Sequence, residues 1–256
     1  ARFLGVGVCD LLGGRVRDRI RVCYPIFRMF DQAEVERNLG YVEMQMEQGQ
    51  DMFRLYCGGN VEADEQFLQA ARDRWGARFV IKSLDLSGRL DWKTGLSVLQ
   101  RLRRFDPIMA ESVCYADDLE GMAEIRRRID LPVSEHVFSL AQALRLVQAR
   151  AVDAFNICLV AMGGIEAARK VYAVGEAARL KCFVGTTQEL SIGVAAQAHL
   201  AAAMPNLDLP SDPTGGLLYR DDVVKERVRY EQGYLLVPSG VGLGMEIDPE
   251  KLAAYR

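Results

Sequence analysis

Short apolar runs alternate along this chain with longer stretches whose apolar residues recur every three or four positions, the spacing of an amphipathic helix. Strand character over Arg21 to Met29 is followed by a helix over Asp31 to Gly49, Met52 to Cys57 by Ala63 to Trp75, and Phe79 to Asp85 by Leu96 to Phe105. The rhythm continues with Ile108 to Ser112 and Leu119 to Ile129, then with Leu131 to Ser134 and Leu140 to Ala149. Ala154 to Val160 and Lys181 to Gly185 lead into helices around Gly164 to Leu180 and Leu190 to Ala203, and Leu207 to Pro210 supplies an eighth strand. Strands that alternate with helices in this way predict an α/β fold whose parallel sheet closes into a barrel. A doubly wound open sheet is the alternative, but no early glycine-rich dinucleotide fingerprint accompanies it. The glycine pairs beginning at Gly58, Gly163 and Gly215 read as turns.

The same pattern divides the chain into a linking segment at 1–20, a barrel at 21–212 and a turn-rich segment at 213–256 that is too small for a core of its own. Apolar residues make up 50% of the 256 positions, enough for one large core. The 35 acidic and 32 basic side chains leave a net charge of −3, and the basic ones are spread over the helices. That distribution argues against nucleic acid and for a small-molecule partner. Six cysteines without a CxxC pair read as reduced thiols in buried segments. With no leader-like start and no apolar run of membrane-spanning length, a cytoplasmic protein with no membrane partner is expected.

Candidate chemistry lies at strand ends. Asp85 closes one apolar strand and Glu111 another, while His136 follows Leu-Pro-Val-Ser-Glu at a third. At one end of a barrel such residues converge, and two carboxylates suit a hard divalent cation, with imidazole less selective for magnesium. On residue types alone, polar loop or helix-cap roles for the two acids and a structural role for the histidine are the commoner outcome. Lys82 alternates out of phase with Asp85 and is expected toward solvent or the helical layer. Lys93 is expected in a solvent loop. His199 is expected on a helix surface or in a buried hydrogen bond.

Leu11 to Asp18, Met52 to Gly58, Asp85 to Ser87, Ala110 to Ser112 and Asp117 to Gly121 resemble, in order, elements of the enolase superfamily in its muconate-cycloisomerase and mandelate-racemase branch. Pro132 to His136, Asp153 to Cys158, Met162 to Ile165, Gly233 to Pro238 and Gly242 to Asp248 extend the resemblance over essentially the whole chain. It implies an enolase-type (β/α)7β TIM-like barrel, with 1–20 on the capping side and 213–256 returning toward an incomplete capping domain. It also implies a metal site of Asp85, Glu111 and His136, with Glu135 the close competitor for the third position. Magnesium is the expected ion, manganese or zinc are alternatives, and no organic cofactor is expected.

Relatives that remove a proton beside a carboxylate commonly use a lysine on strand two, with a second on strand six or a histidine near strand seven. Here the strand-two seats hold Arg54 and Tyr56, strand six holds Cys158, and Gly185 to Glu189 contains no histidine. The resemblance then assigns proton transfer to Tyr56, if the metal and Arg54 lower its pKa, and carboxylate binding to Arg54. Ser87 and Cys158 are further site candidates, although Tyr56 and Cys158 also suit a barrel interior that has lost the usual chemistry. The implied function is dehydration or epimerisation of a small carboxylate such as a sugar acid. The competing reading is a noncatalytic carboxylate-binding or interaction protein. Family precedent makes a homo-oligomer reasonable.

Overall fold

The computed structural model describes residues 1–255. Its main sheet consists of β1 (Tyr24–Ile26), β2 (Met52–Tyr56), β3 (Val80–Asp85), β4 (Met109–Glu111), β5 (Val133–Val137), β6 (Ala154–Ile157) and β7 (Lys181–Val184). These strands are hydrogen-bonded in sequence order and all neighbours are parallel. Between and after them run α1 (Gln32–Glu47), α2 (Val61–Trp75), α3 (Trp92–Leu102), α4 (Leu119–Arg128), α5 (Leu140–Ala149), α6 (Ile165–Ala177) and α7 (Ser191–Ala203). Side-chain oxygens of Asp31, Asn60, Asp91, Asp118 and Ser139 accept from the first free N–H groups of α1 to α5, so each helix begins where the sequence supplies a cap.

The expected eighth strand is a bridging segment. Leu207 pairs with Cys182 and Ser211 with Val22, while Asp212 N donates to Val184 O at 2.8 Å and Ser211 N to Arg21 O at 2.9 Å. Pro210 lacks a backbone donor, which limits a regular ladder here, yet the segment joins the two open edges of the sheet.

Outward residues of the strands, such as Phe53, Leu55, Ile81 and Leu84, share one apolar cluster with Leu39 of α1, Phe67 and Leu68 of α2, and Leu99 and Leu102 of α3. Each such side chain, fully buried, contributes roughly 2 kcal/mol. Met109, Ala154, Phe183 and Leu209 form a separate small cluster. The six cysteines are buried and free.

Arg19–Arg21 pairs antiparallel with Tyr234–Leu236, which in turn pairs with Tyr230–Glu231. The start of the first expected strand therefore belongs to a second small sheet. Since Arg21 precedes β1, this pairing places part of the 213–256 segment at the N-terminal end of the barrel strands. No helix of the described residues is long and apolar enough to cross a membrane.

Asp64, at the start of α2, is fully buried; Oδ2 accepts from Gly58 N at 2.8 Å while Oδ1 has no partner. Burial pushes its carboxyl up to about 7. A folded pKa above the unfolded one means stability is greatest below the unfolded pKa and is lost as pH rises toward 7. Asp64→Asn, which keeps an acceptor and cannot ionise, is expected to stabilise the protein by about 2 kcal/mol at pH 8 and by much less at pH 5. Urea unfolding of both proteins at the two pH values checks this; an equal difference at both would refute it.

Candidate active site

Strand alternation turns Arg54 and Tyr56 of β2 inward, and register sets Tyr56 beside Asp85 and Asp85 beside Glu111. Farther round, His136 of β5 pairs with Asn156 of β6. One ligand atom from each of Asp85, Glu111 and His136 can be chosen so that all lie within 4.8 Å of one another. Tyr56, Asp85, Ser87, Glu135, His136 and Phe138 are among the residues lining a cavity of about 300 Å³ at the C-terminal ends of the strands. Phe27 stacks on Tyr56 and Phe138 on His136, each with ring centroids 5.9 Å apart.

Each acid has a different environment. Asp85 Oδ1 accepts from Ser87 N at 2.7 Å and from Ser87 Oγ at 3.2 Å, a turn made possible by the positive φ of 56° at Ser87. This leaves Oδ2 buried without a hydrogen bond. Burial, aided by the neighbouring Glu111, pushes the Asp85 carboxyl up to about 6. Burial also opposes the charge of Glu111, but Lys82, Arg54 and His136 more than offset it and hold this carboxyl well below its usual range. Glu111 Oε1 accepts from Arg54 Nη1 at 3.2 Å and Asn156 Nδ2 at 3.0 Å, and lies 2.9 Å from His136 Nε2; Oε2 has no hydrogen bond.

Burial disfavours the His136 cation, yet contacts with Cys158 and Glu111 hold its pKa well above the ordinary value. Its Nδ1 is 3.1 Å from Cys158 Sγ. Glu135 also lines the cavity: Oε1 accepts from Ser112 Oγ at 2.9 Å and from His136 N at 2.8 Å, Oε2 has no hydrogen bond, and burial pushes its carboxyl up to about 7.

The structure defines the place of Arg54 and corrects the expectation for Lys82. Arg54 is buried beneath the cavity, with Nη1 3.2 Å from both Glu111 and Asp212, Nε 3.8 Å from Asp85, and Nη2 bonded to the Tyr56 hydroxyl. Surrounded by carboxylates, it braces Tyr56 and the acids, and like Glu111 it lies just beneath the residues that line the cavity. Lys82 is fully buried and faces neither solvent nor the helical layer. The pairing of β2 with β3 shifts between Phe53–Ile81 and Arg54–Ser83, so Lys82 is the extra residue of a bulge and the two-residue alternation fails there. Its Nζ lies 2.5 Å from Asp212 Oδ1, 3.6 Å from Glu111 Oε2 and 3.9 Å from the Phe183 ring centroid. Burial works against the ammonium, but Asp212 and Glu111 raise its pKa.

The residue-level reading missed Asp212 and Asn156. Asp212 accepts from Arg54, Lys82 and Asn156 Nδ2, the last at 3.1 Å. Gly185 must lack a side chain because a Cβ there would overlap Asn156 Oδ1 and press on Cys158 Sγ. Elsewhere, His199 is buried and accepts from Cys9 N at 3.2 Å, as expected, and Lys93 is exposed but in the first turn of α3, not in a loop.

The donor set suits a divalent cation. Two buried carboxylates each keep an oxygen without a hydrogen bond, and an imidazole nitrogen lies within reach of both.

Comparison with known proteins agrees with this architecture. The family model for the enolase C-terminal domain-like fold matches residues 34–251. Muconate cycloisomerase 1 of Rhodococcus opacus is 30% identical over all of this chain, which covers 68% of that protein. N-succinyl-L-Arg/Lys racemase of Bacillus cereus is 28% identical, over 96% of this chain and 65% of its own length. The crystal structure of 2-chloromuconate cycloisomerase from Rhodococcus opacus superposes with a TM-score of 0.90 at 28% identity, covering 99% of this chain and 68% of that one. That of the L-Ala-D/L-Glu epimerase from Bacillus subtilis gives 0.88 at 26%, covering 97% and 69%. The chain therefore belongs to the enolase superfamily, in its mandelate-racemase and muconate-cycloisomerase branch.

Proposed function

We propose that this chain is the barrel of an enzyme that moves a proton beside the carboxylate of a small acid, using a divalent ion held by Asp85, Glu111 and His136. The observation that carries the reading is the grouping of these three side chains, with Asp85 and His136 lining the cavity, Glu111 buried beside them, and hydrogen-bond-free oxygens on both acids. A magnesium ion, or manganese or zinc in its place, supplies positive charge against an enediolate as negative charge develops on the substrate.

The chain's own residues set the rest. Tyr56 meets the substrate at the cavity and holds the mobile proton on its hydroxyl, with Arg54 fixed behind it. Burial raises the Tyr56 pKa and Arg54 lowers it; burial is the larger effect. Tyr56 is thereby set to deliver a proton, and its action as a base requires extra positive charge at the site. Ser87 fixes the orientation of Asp85, and Cys158 that of His136. Delivery of a proton from water on the face opposite Tyr56 gives epimerisation, and departure of a neighbouring hydroxyl as water, with the proton that Tyr56 carries, gives dehydration, with sugar acids among the substrates. The chain's relatives include racemases and epimerases, which supports the first outcome.

The second reading is a carboxylate-binding protein without turnover. It is favoured by the protonated state that burial imposes on Tyr56, together with Arg54 and Cys158 at seats where relatives carry lysines. Incubation with magnesium in D2O and libraries of sugar acids, amino acids and cycloalkene carboxylates, followed by product-resolved mass spectrometry, separates the two. Deuterium incorporation beside a carboxylate or a dehydrated product is expected; binding without either would leave only the second reading.

A further inference from the structure

We propose that Lys82 is a built-in cation that restrains divalent-ion binding at Asp85, Glu111 and His136, and that Asp212 is the counter-charge that limits this restraint. The proposal rests on the metal-site reading and adds to it the residues that set the affinity. The bulge in β3 is what brings a fully buried ammonium to this place. Lys82 Nζ lies 3.6 Å from Glu111 Oε2, the oxygen of that carboxylate left without a hydrogen bond, so the ammonium acts directly on the charge of a proposed ligand.

The charges within contact distance are the carboxylates of Asp85, Glu111 and Asp212 and the cations Arg54 and Lys82, a net charge of −1 before His136 is counted. A dication entering this set meets far less attraction than the acids alone would give, and at this burial water screens the difference poorly. Asp212 holds the ammonium at 2.5 Å and also accepts from Arg54 and Asn156, the same two donors that Glu111 uses. It therefore keeps the Arg54 and Asn156 donors if Lys82 is replaced. A purely structural role for the pair, as a plug above Phe183, makes a different prediction: any loss of the ion pair loosens the site and weakens ion binding.

The test is calorimetric titration of magnesium and manganese into the wild-type protein, Lys82→Met, Asp212→Asn and the double variant, with thermal melts of each. Lys82→Met is expected to bind the ion about tenfold more tightly, Asp212→Asn about tenfold more weakly, and the double variant within about threefold of wild type. Weaker binding by both single variants, or unchanged binding by Lys82→Met, overturns the proposal. Should Lys82→Met fail to fold, weaker binding by Asp212→Asn that the double variant restores supports the proposal, and failure of the double variant to restore it overturns the proposal. If the wild type binds no ion but Lys82→Met does, the restraint stands and the resident-ion reading falls. If neither binds, both fall.

Discussion

Glu111→Gln is expected to lower divalent-ion affinity roughly 100-fold, because it removes the most strongly ionised carboxylate of the cluster and a ligand that no neighbour can replace. It also leaves Arg54 and Lys82 with one anion fewer in a buried site, at a cost of about 3 kcal/mol of stability. Asp85→Asn acts on the same ion with a smaller loss of stability, since its contact with Arg54 is a long 3.8 Å. The ion affinity of the wild type carries a matching pH dependence. Binding requires Asp85 ionised and His136 neutral, whereas the free protein holds Asp85 at about 6 and His136 as a cation. Affinity must therefore fall as pH drops through 6, with protons released on binding. Titration calorimetry in buffers of different ionisation enthalpy measures both; affinity independent of pH between 5 and 8 would remove His136 and Asp85 from the ligand set.

The second large effect falls on Tyr56. Tyr56→Phe keeps the ring stacked on Phe27 and deletes the hydroxyl that Arg54 bonds, so the cavity wall survives and the mobile proton does not. Proton exchange on any substrate identified is expected to fall about 1000-fold, with ion affinity changed less than threefold. Exchange that persists at the wild-type rate would move the proton-transfer role to another residue of the mouth. Because Arg54 Nη2 would lose its partner, the melting temperature of the variant separates lost chemistry from lost structure.

Asp85 and Glu111 were legible in the sequence because each closes an apolar run, and parallel strands in a barrel bring their C-terminal ends together. His136 groups with the two acids, while Glu135, held by Ser112 through one oxygen, keeps its other oxygen without a hydrogen bond at the same cavity, so the choice between the two as third ligand belongs to the proposal. Lys82 was not legible. A two-residue period gives the facing of a side chain only while the ladder is regular, and the shift between Phe53–Ile81 and Arg54–Ser83 is a relation between two strands that neither segment displays alone.

Asp212 was read as the end of the barrel without a role, although it closes the eighth segment as Asp85 closes the third, and the same reasoning applied to it would have found it. Asn156 had a signal too, two residues before Cys158 and so on the same face of β6. The burial of Arg54 beneath the cavity depended on these unread partners. Its guanidinium is paired with three of the protein's own carboxylates, a set the sequence does not display together.

The central claim is that Asp85, Glu111 and His136 hold a divalent ion at the cavity. Crystals of the protein grown with manganese and measured at the manganese absorption edge test it most directly. An anomalous peak is expected about 2.2 Å from a carboxylate oxygen of Asp85, one of Glu111 and Nε2 of His136. A peak bound only elsewhere, or none at manganese concentrations that saturate calorimetric binding, would contradict it.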